Sequence, residues 1–327
     1  GHFVAAARPD APLWQRWQGM RQAVRQLRRA VSFDLVAAHF ALYTFPVLDQ
    51  VRDLPLVVHF HGPWAWEGRE EAKGGLQVAV KTWLERTVYR RAVRCIVLSE
   101  AFGRELVRRY GVAPERVRIV PGGVAAERFA LPHTRHEARE VLGWPTDRPI
   151  VLSVRRLVRR MGLERLIAAM AEVRRHVPDV LLLIAGRGPL ADALQAQIDA
   201  LGLAQHVRLL GFVPDEQLPL AYRAADLTVV PTVALEGFGL ITLESLAAGT
   251  PVLVTPVGGL PEAVRELTEA LVLEEATSEA LAAGLIEALT GRRPLPSDEA
   301  CRAYVRAHYD WPVIARRVKA VYEGALR

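Results

Sequence analysis

The sequence predicts an α/β protein of two doubly wound domains, each a parallel sheet covered by helices. Short apolar runs rich in β-branched residues alternate with helical stretches along most of the chain, the pattern of βαβ units. The runs are apolar on both faces and do not alternate, as parallel strands buried on both sides read. One interruption of this rhythm, over residues 125–148, divides the chain in two.

Taken in order, Gly1-His2-Phe3-Val4 resembles the start of a second strand. A complete Rossmann half begins with a strand, a glycine-rich turn and a helix. No such turn is visible, so the first domain is expected to lack its first β-α unit. Residues 14–31 form an amphipathic helix. Strands are expected at 34–38, 54–60, 94–98 and 117–120, with a polar loop at 69–75 and a helix at 103–110. Pro132, Pro145 and mixed charge mark residues 126–147 as a linker holding at most a short helix. Strands follow at 149–154, 180–185, 207–210, 227–231 and 251–255, with helices at 163–176, 190–201 and 279–289. The expected domains are therefore 1–125 and 148–310, with a closing helix over 311–327 that packs back toward the first.

At 327 residues and 51% hydrophobic, the chain is long enough for two cores. No apolar run approaches the roughly 20 residues of a membrane span. Two cysteines, Cys95 and Cys301, suggest no disulfide framework or metal site and point to a reducing cytoplasm. The net charge of +6 is uneven: residues 1–125 hold 19 Lys/Arg against 11 Asp/Glu, whereas the rest is slightly acidic. Basicity in the first half points to an anionic surface or substrate there.

Ligands of open α/β sheets bind beyond the carboxyl ends of the strands. Just past the expected strand ends stand His61, Arg156, Gly186-Arg187-Gly188, Phe212-Val213 and the stretch from Thr232 to Gly239. In Glu236-Gly237-Phe238-Gly239-Leu240-Ile241-Thr242-Leu243-Glu244, glycines precede a helix whose free amides suit a phosphate. Glu244 in that helix suits a vicinal diol such as a ribose, and Glu236 suits sugar hydroxyls. The plainer alternative is an acidic residue favoured by the helix dipole and an exposed glutamate.

The succession of pieces decides between these readings. Ser153-Val154-Arg155-Arg156-Leu157, Ile184-Ala185-Gly186-Arg187-Gly188-Pro189, Leu210-Gly211-Phe212-Val213-Pro214, the 231–251 segment and Gly258-Gly259-Leu260-Pro261-Glu262 stand in one order. With Val58-His59-Phe60-His61-Gly62 and Val120-Pro121-Gly122-Gly123-Val124, the order resembles glycosyltransferase family 4 over about residues 34–327. The resemblance implies a GT-B fold, two Rossmann-like domains facing across a cleft, and a retaining transferase using a nucleotide diphospho-sugar. Glu236 and Glu244 match the family's paired glutamates, the first holding donor-sugar hydroxyls and the second the ribose. Arg156 matches the arginine that neutralises the diphosphate, and His61 the histidine that reaches the donor sugar. These make Glu236, Arg156 and His61 the candidate catalytic residues. Gly237, Phe238, Gly239, Leu240, Gly186 and Val213 join Glu244 as candidate donor-binding residues.

One departure stands out: Met161 occupies the place of the family's second cationic residue, and a thioether cannot stabilise a leaving diphosphate. Arg159 or Arg160 is left to supply that charge, and Arg160 is counted with the donor-binding residues. No Asp-x-Asp pattern occurs, so neither a metal nor a cofactor is expected beyond the nucleotide-sugar co-substrate. The expected acceptor is a carbohydrate or glycolipid.

Residues 14–31 invite two readings. Trp14, Trp17, Val24, Leu27 and Val31 form either a stripe packed on the sheet or an interfacial face on anionic lipid, with Arg21, Arg25, Arg28 and Arg29 beside it. Competing functions are a nucleotide-sugar epimerase of the same fold, a catalytically dead relative, and a basic binding protein. Against a nucleic-acid partner, no basic motif interleaved with aromatics appears.

Overall fold

The computed structural model describes residues 6, 8, 10–66 and 75–327. The expectation for Gly1-His2-Phe3-Val4 and most of that for the 69–75 loop lie outside these residues. The chain forms two compact units, residues 1–120 with 315–327, and residues 121–314.

In the first unit, β1 (Val36–Ala38), β2 (Leu56–Phe60), β3 (Arg94–Val97) and β4 (Val117–Ile119) pair in sequence order, all parallel. The β2 and β3 side chains are almost wholly buried, as the apolar runs demand. The core gathers Leu56, Val58, Phe60, Val97, Leu106 and Tyr110. Ser99 caps the helix Glu100–Tyr110 by accepting from the Phe102 amide, and Gly111 ends it in the left-handed region. The helix Gly75–Arg91 begins where a polar loop was expected to end.

The second unit contains β5 (Ile150–Val154), β6 (Leu181–Ala185), β7 (Val207–Gly211), β8 (Leu227–Val230) and β9 (Val252–Val254), paired in the order β7-β6-β5-β8-β9. The chain winds outward from β5 in one direction and then returns to its other side at β8. That reversal opens a crevice at the carboxyl ends of β5 and β8, where doubly wound sheets bind ligands. The core beneath it is aliphatic, built on Leu166, Ile167, Met170, Leu182, Ile184 and Leu285.

Residues 126–147, expected as a linker, belong to the second unit and carry two helices, Ala126–Phe129 and Arg135–Leu142. A capping box between Thr134 and Glu137 starts the longer one. Arg139 fastens it, donating to the Ala224 carbonyl at 2.8 Å and pairing with Asp226 at 2.6 Å. The helix Trp311–Ala325 is divided, with residues to Ile314 in the second unit and those from Ala315 in the first.

Candidate active site

Arg155 and Arg156 leave β5 at the reversal point, and successive residues of an extended segment point to opposite sides. Arg155 turns inward and is only 9% exposed. Its Nη2 donates to Thr232 Oγ1 and forms an ion pair with Glu236 Oε2. Thr232 also donates to that carboxylate at 3.2 Å. Arg155 Nε is buried and finds no acceptor among the described residues. The ends of β5 and β8 are thereby stitched by one buried charge pair. Arg156 is exposed.

Glu236 lies in a constrained loop. Leu235, with φ at 53°, holds the left-handed conformation that glycine usually supplies. The Leu235 carbonyl accepts from Arg160 Nη1 at 3.0 Å, and the Val233 amide donates to the Arg160 carbonyl at 2.9 Å. Arg160 thus reaches the loop, whereas Arg159 is exposed and Met161 is buried in the core. On the other side, Gly259 donates to the Glu236 carbonyl at 3.1 Å. A Cβ at Gly258 would come within 2.0 Å of that same oxygen, so only glycine lets the two loops meet.

After Gly237, the buried Phe238 ring anchors the loop against Tyr309, 5.6 Å between centroids. Gly239, φ at 77°, then opens the helix Leu240–Ala247. Among the described residues no side chain caps this start, and the first amides of a helix have no intrahelical partner. Glu244, one turn in, accepts from the buried Tyr222 hydroxyl at 2.8 Å. Burial raises the Glu244 pKa, and the Tyr222 hydrogen bond opposes that rise.

Beyond the end of β5 lies a cavity of about 420 Å³ lined by Arg155, Arg156, Met161, Gly186, Arg187, Val213, Asp215 and Ile241; Glu236, Gly237, Phe238, Gly239, Leu240, Glu244 and Arg160 are not among its lining residues. Three of the sequence candidates, Arg156, Gly186 and Val213, meet there. Gly186 earns its place by backbone packing: a Cβ would approach the Arg155 carbonyl to 1.8 Å. Arg187 lies over the Phe212 ring, 4.9 Å from its centroid. Sequence reasoning gave no role to Arg155, Tyr222 or Thr232. Their partners stand 4 to 81 residues away, and no local pattern announces pairs at the longer spacings.

His61 belongs to the first unit, just beyond β2. Its Nε2 is 3.0 Å from His39 Nδ1, and His39 stacks on His59 at 4.3 Å between centroids. His59 Nε2 meets the Tyr322 hydroxyl at 2.7 Å. Partial burial, then the neighbouring imidazoles, lower the His59 pKa to about 4. Burial and His39 lower that of His61 also. The His59 ring is therefore neutral at pH 7, able to donate from one nitrogen and accept at the other, and burial pushes His61 in the same direction. His39, unassigned from the sequence, joins His61, Phe40, Tyr43, Trp64 and Glu85 around a cavity of about 300 Å³.

The helix Leu13–Ala30 takes neither expected form cleanly. Trp17 packs on Phe45, 6.0 Å between centroids, while Trp14 is 59% exposed. Arg21 and Arg28 are held by Asp49 and Asp53 at 2.7 and 2.6 Å, which leaves less free positive charge on this face than the sequence suggests. Among the described residues no helix is long and apolar enough to cross a membrane.

Two Rossmann-like units, with a crevice that carries Arg156 and Arg187 at the second sheet's reversal point, define the class: this is the GT-B fold. A sucrose-phosphate synthase from Thermosynechococcus elongatus superposes with a TM-score of 0.75 at 25% identity, over 97% of this chain and 80% of that one. The Anabaena HepE protein, solved in complex with UDP, gives 0.76 at 21% identity, over 94% and 82%. The pattern described as Glycosyl transferases group 1 matches residues 134–308, and that described as Glycosyltransferase Family 4 matches residues 2–128. The chain belongs to this family of glycosyltransferases. A D-inositol 3-phosphate glycosyltransferase of Nocardia farcinica is 34% identical over 94% of this chain and 69% of its own length. A GDP-mannose-dependent α-(1-6)-phosphatidylinositol monomannoside mannosyltransferase of Mycolicibacterium smegmatis is 34% identical over 63% of this chain. The chain spans 56% of that protein's length, little more than half.

Proposed function

We propose that this chain is a retaining glycosyltransferase that moves a sugar from a nucleotide diphospho-sugar to a hydroxyl of a carbohydrate or glycolipid acceptor. The observation that carries this reading is the crevice at the ends of β5 and β8. There Arg156 and Arg187 line a cavity beside an uncapped helix start, with Glu236 fixed by Arg155. Exposed guanidinium and free helix amides are complementary to a diphosphate. Glu244, accepting from Tyr222, keeps lone pairs for the hydroxyls of a ribose.

In the transfer, the bond from the anomeric carbon to the diphosphate oxygen breaks as the acceptor oxygen bonds to that carbon from the same face. The departing phosphate takes the acceptor's proton. The protein's part is positioning and charge stabilisation: Arg156 and the amides of the 237–240 segment offset negative charge on the leaving group. Glu236 holds donor-sugar hydroxyls, Arg160 adds positive charge close by, Gly186 and Val213 border the nucleotide, and His61 takes part through the neutral imidazole. The reaction needs no metal and no cofactor besides the donor. The Arg25 and Arg29 side chains with Leu13 and Trp14, all exposed, support work at an anionic cytoplasmic membrane face.

Calorimetry with UDP-, GDP- and ADP-sugars tests the assignment. One donor should bind, and Glu244→Ala should weaken it while a chelator leaves binding and turnover unchanged. Equal, negligible binding of all three by the folded wild type would refute the donor site.

A further inference from the structure

Glu85 lies outside the crevice described above, on the helix Gly75–Arg91, and is only 1% exposed. Four donors converge on its two oxygens. Oε1 accepts from the Trp64 amide at 3.1 Å and the Tyr89 hydroxyl at 3.2 Å. Oε2 accepts from the Ala65 amide at 3.2 Å and the Tyr110 hydroxyl at 2.8 Å. The two tyrosines cannot turn away. Their rings stand edge to face 5.0 Å apart, and both meet Phe60 in the same manner.

The two amides belong to the turn His61-Gly62-Pro63-Trp64-Ala65. Pro63 has no N–H to offer, so Trp64 and Ala65 provide the nearest donors after Gly62. Glu85 and His61 also line the same cavity. Burial raises the Glu85 pKa, and hydrogen bonds from Tyr110, Ala65, Tyr89 and Trp64 oppose that rise. An element that needed only to pack would carry an apolar residue here. A carboxylate is the side chain that accepts from four donors and presents none.

We propose that Glu85 is a positioning residue: its carboxylate clamps the turn after β2 and so sets the orientation of the His61 ring. This rests on the reading that His61 takes part in transfer. Glutamine keeps the shape of the side chain but turns one acceptor into a donor that faces other donors.

The test compares wild type, Glu85→Gln, Tyr110→Phe, His61→Ala and the double variant His61→Ala/Glu85→Gln, each normalised to its folded fraction. Glu85→Gln should lower kcat by up to about 10²-fold, as misplacement of a reacting group does, while KM for the donor changes little. Tyr110→Phe, which withdraws one donor and keeps the ring, should do the same in smaller measure, and serves if the glutamine variant does not fold. In the His61→Ala background Glu85→Gln should add no further loss. An equal loss in both backgrounds, or unchanged kcat in both Glu85→Gln and Tyr110→Phe, overturns the proposal. The His61 imidazole resonances, recorded without substrate, separate this from a failure of the transfer reading. They should shift in Glu85→Gln whatever reaction the protein performs, and unshifted resonances in a folded variant overturn the clamp directly.

Discussion

Arg155 and Arg156 are neighbours, the first buried in an ion pair and the second exposed on the cavity wall, and the two substitutions should separate cleanly. Arg156→Ala removes an exposed cation from the cavity wall. It should cost about 2–4 kcal/mol of transition-state stabilisation, the range of other preorganised electrostatic groups, with an unchanged melting temperature. Arg155→Ala leaves the largely buried Glu236 carboxylate without its cation. Breaking such a pair costs about 3–5 kcal/mol, so urea unfolding of the second unit should shift by that order. Equal melting points for the two variants would contradict the division. The sequence resemblance picked out Arg156 but not Arg155, because a buried pair spanning 81 residues leaves no trace in local spacing. His59 gives a pH signature. Its folded pKa of about 4 lies below the 6.5 of the free group, so the unfolded chain takes up a proton that the folded one refuses. Its contribution to stability is complete above about pH 6.5, and is lost as the pH falls toward 4. His59→Asn should flatten that part of the first unit's stability curve relative to wild type, as followed by denaturant titration at pH 7 and pH 5.

At the scale of elements, legibility followed burial. The nine strands among the described residues stand within a few residues of where the apolar runs place them, most plainly β2, β5, β6 and β8, whose residues are nearly all buried on both faces. The helix Leu163–His176 was equally plain, with its apolar positions on one face. The helix Gly75–Arg91 was not. It buries Leu84, Val88 and Tyr89 together with the charged Glu85, and exposes Leu76, Val80 and Trp83. Apolar residues on both sides erase the periodic signal. The two helices within 126–147 were hidden by their prolines and charges, although Thr134 with Glu137 three residues on is a recognised start signal. Thr134→Ala should cost about 1 kcal/mol of the second unit's stability; calorimetric unfolding measures it, and no change would mean the cap is idle. For the helix Leu13–Ala30, vesicle flotation decides between lipid and solvent. Binding to anionic vesicles that weakens with salt and with Trp14→Ala is the expected result.

For the molecule as a whole, the candidate site could be read where the family order of motifs reached it, and not where its contacts are pairs brought together by folding. The glycines and glutamates of 236–244 could be read in line. The Glu244–Tyr222 pair, the three stacked histidines and the Glu85 clamp could not, being assembled from separate elements. The two units have their own cores, so a ligand confined to one should protect that one. A nucleotide-sugar at one hundred times its Kd adds about 2.7 kcal/mol to whatever it binds, and hydrogen exchange should report this in residues 121–314.

The two units also differ in how the chain builds them. Residues 121–314 are continuous, whereas the first unit joins residues 1–120 to 315–327, with Tyr322 of the late segment reaching His59. On the ribosome, the second unit can finish folding as soon as it clears the exit tunnel. The first must wait, with its histidine cluster unsealed, until a stretch translated some two hundred residues later arrives. A chain ending at Ile314 and released from the ribosome should therefore already bind nucleotide yet leave β2 open to protease.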